Sequence, residues 1–109
     1  MKTVIVRGVY IVSIDQLTEY TCLLDTGYNR EETIKILKRM YAFANWDKQK
    51  IDVVLLEEID SEEVAQNMYF SYNWNNKLNC KVFTTIRLHN PRRHFLGAKF
   101  NVYLNGKPI

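Results

Sequence analysis

The sequence predicts an α+β domain. Its sheet is mostly antiparallel and curved, with about five to six strands, open or curled into a partial barrel. One long and one short helix accompany it, in the order ββαβαβββ. Three observations carry this. Segments rich in Val, Ile, Thr and Tyr alternate apolar and polar residues over 3–14, 77–89 and 96–104, the period of a strand. One segment, from Ile34 to Ala44, instead repeats apolar residues at three- and four-residue spacing. Gly and Pro number only four and two, so little of the chain is committed to loops. At 109 residues, ordinary domain size assigns 1–109 to a single domain, long enough to bury a core without staples.

The first strand runs from Thr3 to Ile14, and Gly8 in its middle marks a bulge. Asp15-Gln16-Leu17 turns the chain. Thr18 to Leu24 then alternates, with Tyr20, Cys22 and Leu24 on one side, and reads as a second strand. Asp25-Thr26-Gly27 is a loop signal. Asn29 with Glu32 three residues on forms a helix N-cap box. It opens the long helix, whose buried face is Ile34, Leu37, Met40, Tyr41 and Ala44. Glu31 and Glu32 favour the positive end of its dipole. Val53-Val54-Leu55-Leu56 is apolar on both faces, as in a central, doubly covered strand over 51–59. A short helix is expected near 61–67, then a strand to Trp74, where Met68, Phe70, Tyr72 and Trp74 alternate.

Asn75-Asn76 tolerates the positive φ that a tight hairpin turn needs, so the next strand is expected to fold back on 66–74. That turn sets Phe70 opposite Lys81, Tyr72 opposite Asn79 and Met68 opposite Phe83. Leu78, Cys80, Val82, Thr84, Ile86 and Leu88 would then form the core strip, with Lys81, Phe83 and Arg87 facing out. The last strand turns Leu96, Ala98, Phe100, Val102 and Leu104 inward and Lys99, Asn101 and Tyr103 outward. Asn105-Gly106 begins a final turn.

The charge is lopsided. Residues 31–63 hold nine acidic and five basic groups, while 64–109 hold seven basic groups and no acidic one. A net charge of only +3 therefore conceals a polarised chain, which points to an anionic partner for the basic part. The outward face expected of these strands collects Phe70, Tyr72, Trp74, Lys81, Phe83, Arg87, Lys99 and Tyr103, with Arg92 and Arg93 in a loop at its edge. Aromatic rings on a strand surface stack bases, and basic groups neutralise phosphates. The function expected is a small non-enzymatic protein that binds RNA or another single-stranded nucleic acid. Such a face is similar in principle to those of RRM and PUA-type RNA-binding domains. The chain lacks the RRM aromatic motif and its βαββαβ order.

The alternative is a protein-binding inhibitor or adaptor that docks its basic surface on an acidic protein. Self-association of the acidic middle with the basic end is a third possibility. No cofactor, metal site or catalytic grouping is read from the sequence. His89 and His94 lack nearby ligands and read as part of a solvated loop. The cluster Glu57, Glu58, Asp60, Glu62, Glu63 matches no metal-loop spacing. Cys22 and Cys80 have no C-x-x-C spacing and read as reduced core thiols. Arg7 breaks the N-terminal apolar run and no cleavage site follows it, so the cytoplasm is the compartment expected. Abundant Lys, Asn, Ile and Tyr point to AT-rich coding, as in a low-GC bacterium or its mobile elements.

Overall fold

β1 (Thr3–Ser13) is the long strand that its β-branched residues favour, and its register shifts between Val6 and Gly8, where the bulge was expected. In the computed structural model, which describes residues 1–60 and 66–109, β1 pairs antiparallel with β2 (Lys50–Ile59) along nearly its whole length. β2 in turn pairs antiparallel with β4 (Val82–Leu88). On the other side of β1 lies β5 (Lys99–Leu104), antiparallel to it. β3 (Gln66–Phe70) runs parallel to β5, and the two-residue β6 (Lys107–Pro108) folds back on β5 through left-handed Asn105 and Gly106. The fold is α+β with a mixed, open six-stranded sheet in the order β3-β5-β1-β2-β4, with β6 on β5. No ladder closes the sheet into a barrel among the described residues.

Two helices stand between β1 and β2. α1 (Glu19–Thr26) occupies the segment expected as a second strand. Its ends explain the difference. Thr18 Oγ1 accepts from the Thr21 N–H, and Gly27 closes the helix in the left-handed region at φ 80°. α2 (Arg30–Met40) begins as expected, with the Asn29 side chain accepting from the Glu32 N–H. It ends sooner than its pattern suggests, leaving Met40 exposed and Tyr41 as its cap. The short helix expected near 61–67 lies largely outside the described residues, and Gln66 and Asn67 already belong to β3.

The hairpin expected at Asn75-Asn76 does not form. Both residues do have positive φ, 56° and 54°, but within an irregular 3-10 segment (Trp74–Asn79) that packs on α1. Asn75 Nδ2 donates to the carbonyls of Leu23 and Leu24 in the last turn of α1, the first of which also accepts the Gly27 N–H. The turn thus serves a helix end, and the chain crosses from one edge strand, β3, to the other, β4. Cys80 falls in this crossing and is exposed, not a core thiol, whereas Cys22 is buried.

This topology reverses the facing of two strands. Met68 and Phe70 of β3 turn inward with Phe100 and Val102 of the neighbouring β5. Phe83, expected outside, is 5% exposed and packs with Val54 and Leu56, whereas Val82, expected inside, is 50% exposed. One core lies on this inner face. The other lies on the outer face of β2 and β4, where Ile51, Val53 and Ile86 meet Cys22 and Leu37 of the helices.

The sheet bends until its two edges meet through side chains. The rings of Phe70 and Phe83, on opposite edges, are 6.3 Å apart. Arg87 Nη2 donates to the Tyr69 carbonyl at 2.8 Å and Arg93 Nη2 to the Asn67 carbonyl at 2.6 Å. These two carbonyls lie on the free edge of β3, so the guanidiniums take the donor role of an absent strand. Arg87 stacks on Phe70 at 4.6 Å and Arg93 on Phe100 at 5.1 Å.

Two stability predictions follow from these contacts. Arg93→Met keeps the stem but removes a charge-assisted hydrogen bond, and is expected to cost about 1.5–3 kcal/mol. Gly27→Ala places a Cβ 3.2 Å from Asn75 Oδ1 at a left-handed position, and is expected to cost about 1–2 kcal/mol. Urea unfolding reads both, and an unchanged midpoint would refute the corresponding contact.

Candidate functional site

Neighbouring strands and one crossing bring aromatic and charged groups together beside the arginine seam. On β3 and β5, alternation sends Met68, Phe70, Phe100 and Val102 into the core, so Asn67, Tyr69, Lys99, Asn101 and Tyr103 face out. Tyr69 lies opposite Tyr103, with ring centroids 5.2 Å apart, and Tyr69 is 58% exposed. Asn101 Nδ2 donates to Asn67 Oδ1 at 3.3 Å, and Asn67 Nδ2 to the Tyr69 hydroxyl at 3.2 Å. The helices pack over the β2–β4 half of this same face, so the tyrosine pair lies on its other half.

Next to Tyr69 the seam opens into a cleft of about 410 Å³. Tyr41, Phe70 and Trp74 supply aromatic surface, and Asp25, Lys77 and Arg87 supply charge. Lys77 Nζ lies 3.0 Å from Asp25 Oδ1, which also accepts from Thr84 Oγ1 at 2.7 Å. Both members of this ion pair are buried. Burial pulls the Lys77 ammonium below the usual lysine range, and Asp25 opposes that pull. Burial likewise lowers Arg87. Beyond the cleft, Tyr72 packs edge-on against Trp74 at 4.8 Å, and Tyr28 meets Trp74 at 6.2 Å. Aromatic rings therefore run from Tyr103 and Tyr69, across the mouth, to Tyr72 and Trp74.

The residues expected to bind nucleic acid separate into groups. Lys99 and Tyr103 lie on the outer face of β5 as anticipated. Trp74 lines the cleft and Tyr72 packs against it, both on the crossing and not on a strand. Arg87 lines the cleft and Arg93 holds β3. Arg92 is exposed in the β4–β5 loop. Lys81 is exposed just before β4, its carbonyl accepting from the Glu58 N–H, with β1 and β2 between it and β5. Phe83 is in the core, so its ring offers no surface. Among the described residues, Lys81, Arg92 and Lys99 make no ion pair. Glu57 and Glu58 pair instead with Arg7 of β1 and with Lys2 just before it.

Sequence reasoning missed Tyr69, because strand parity was reversed, and missed Asp25, Tyr41 and Lys77 altogether. It also misread His89 and His94. Both Nδ1 atoms lie 2.7 Å from the buried Asp52 carboxylate, which accepts from the Asn90 N–H at 2.9 Å as well. The signal was a carboxylate inside the apolar run of a central strand, which burial obliges to find donors. Among the described residues no group of metal-ligating side chains forms, and no helix is long and apolar enough to cross a membrane.

Comparison with protein-family models, curated proteins and solved structures returns no significant match for this chain.

The Asp52 cluster generates a pH prediction. Burial alone would raise the Asp52 carboxyl, but Asn90, His94 and His89 outweigh it and hold it below the ordinary carboxylate range. Its contribution to stability is therefore complete above the unfolded value of about 3.9, and is lost as pH falls through the lower folded value. Asp52→Asn is expected to cost about 2–4 kcal/mol at neutral pH. The gap from wild type should narrow only in strong acid, and a gap that closes already at pH 5 would refute the assignment.

Proposed function

We propose that this chain is a small RNA-binding regulator, non-enzymatic, that holds a single strand against the outer face of β3 and β5. The observation that carries the reading is the Tyr69–Tyr103 pair, two rings 5.2 Å apart on a strand surface, with Lys99 on the same face of β5. Rings on neighbouring strands offer a surface on which unstacked bases can stack. Trp74 at the cleft and Tyr72 packed against it extend the stacking surface. Exposed Lys99 and Arg92 supply phosphate contacts, and the basic composition of 64–109 favours a polyanion.

A second reading, a protein-binding adaptor, is favoured by a different feature. Exposed Tyr10, Tyr20 and Leu24 line an apolar groove between α1 and the β1–β2 part of the outer face. Large apolar residues gathered in this way suit a protein surface.

Fluorescence anisotropy with labelled oligo(U) tests the first reading. Binding should weaken steeply with salt, and Lys99→Ala should lower the slope of log K against log salt by about 0.7. Each of Tyr69→Ala and Tyr103→Ala should weaken binding by about 5- to 150-fold, the worth of one stacked base. Absence of binding to RNA and to single-stranded DNA at low salt would overturn the reading. A single stoichiometric protein retained after nuclease treatment would favour the second.

A further inference from the structure

The cleft beside Tyr69 holds more than a stacking surface requires. Its volume of about 410 Å³ lies in the range of small-molecule sites, roughly 300–1,000 Å³. Its charged groups are unevenly satisfied. Asp25 Oδ1 accepts from Lys77 and Thr84, whereas Oδ2 has no partner among the described residues, although Asp25 is only 3% exposed. Arg87 spends Nε on Thr85 Oγ1 and Nη2 on the Tyr69 carbonyl, which leaves Nη1 without a partner among the described residues. An acceptor and a donor are thus both available in a space walled by Tyr41, Phe70 and Trp74.

We propose that this cleft takes one unstacked guanine base, from a bound strand or from a free nucleotide. Guanine alone of the four RNA bases places two adjacent donors, N1–H and N2–H, on one edge and two adjacent acceptors, O6 and N7, on another. The two lone pairs of Asp25 Oδ2 match the first edge, and the free Nη1 of Arg87 serves the second. Adenine, cytosine and uracil each set an acceptor beside their donor, which would face the carboxylate and leave it unmatched. Lys77 and Arg87 outnumber Asp25, so the site tolerates the nucleotide's phosphate. The strand arm of this proposal rests on the RNA-binding reading, while the free-nucleotide arm stands without it.

Trp74 is the reporter, in a Trp46→Phe background. Trp46 Nε1 is buried without a partner, so the background forfeits no hydrogen bond seen in the structure. Titration with the four nucleoside monophosphates should change Trp74 fluorescence with GMP at concentrations about tenfold or more below those of AMP, CMP and UMP. In parallel, a U-decamer with one central G should bind about tenfold or more tightly than the all-U decamer, as read by anisotropy. Asp25→Asn should erase both preferences while oligo(U) affinity stays. If circular dichroism shows that variant unfolded, Trp74→Ala should cut the single-G advantage at least tenfold. No GMP response, or equal responses to GMP and AMP, overturns the free-nucleotide arm. Equal decamer affinities overturn the strand arm and leave the RNA-binding reading intact. GMP selectivity without decamer binding upholds the cleft and removes the RNA-binding reading.

Discussion

Two arginines on the far side of the sheet do for β3 what a neighbouring strand would do. An edge strand exposes a row of unpaired carbonyls and N–H groups, which must be covered or left to water. Here Asn67 and Tyr69 direct their carbonyls away from β5, and Arg93 and Arg87 reach them from the loop and strand beyond. Each guanidinium also lies on a core ring, so each joins charge-assisted hydrogen bonding to packing. The bend of the sheet, the closure of the Phe70–Phe83 core and the position of the cleft depend on this seam. Without it β3 would be tied to the body through β5 alone.

A ladder would have closed the seam along its length. A seam held at points leaves space between the Arg87–Tyr69 contact and the end of α2, and that space is the cleft. The same economy accounts for its polarity. Arg87 must enter a partly buried region to reach Tyr69, and Lys77 enters it as the partner of Asp25. Buried cations need acceptors, and their spare donors face whatever occupies the space. The candidate site is thus a by-product of how the edges are joined, with chemistry set by structural residues.

What could be read from the sequence was what is decided locally. The β1 bulge at Gly8, the Asn29 cap and the parity of β5 each depend on a few adjacent residues. One error was local, and the others arose where distant partners decide. Thr18 to Leu24 alternates like a strand, but its Thr18 cap and Gly27 terminus outweigh that pattern, and the resulting helix buries Cys22, Asp25 and Thr26. The two asparagines adopt the expected backbone, yet the amide of Asn75 is claimed by α1, fifty residues upstream. Once that hairpin is lost, β3 takes its facing from β5, and the ring at the surface is Tyr69 in place of Phe70. The histidines were invisible for the same reason, since their partner lies on β2.

The basic run without acids admits a physical account that a surface-charge argument overlooks. Of its seven cations, Lys77 neutralises an upstream carboxylate, and Arg87 and Arg93 serve backbone carbonyls. A carboxylate near either arginine would compete for the guanidinium and draw it away from the free edge of β3. Absence of Asp and Glu beside Arg87 and Arg93 in the sequence therefore suits the fold as well as any anionic partner. Those two demands separate by exposure. Lys81, Arg92, Lys99 and Lys107 stand in solvent, and only such groups carry the salt dependence of binding to a polyanion. The net charge of a segment is a sum over both roles, and the side chains that hold the seam contribute to it without forming part of an open face.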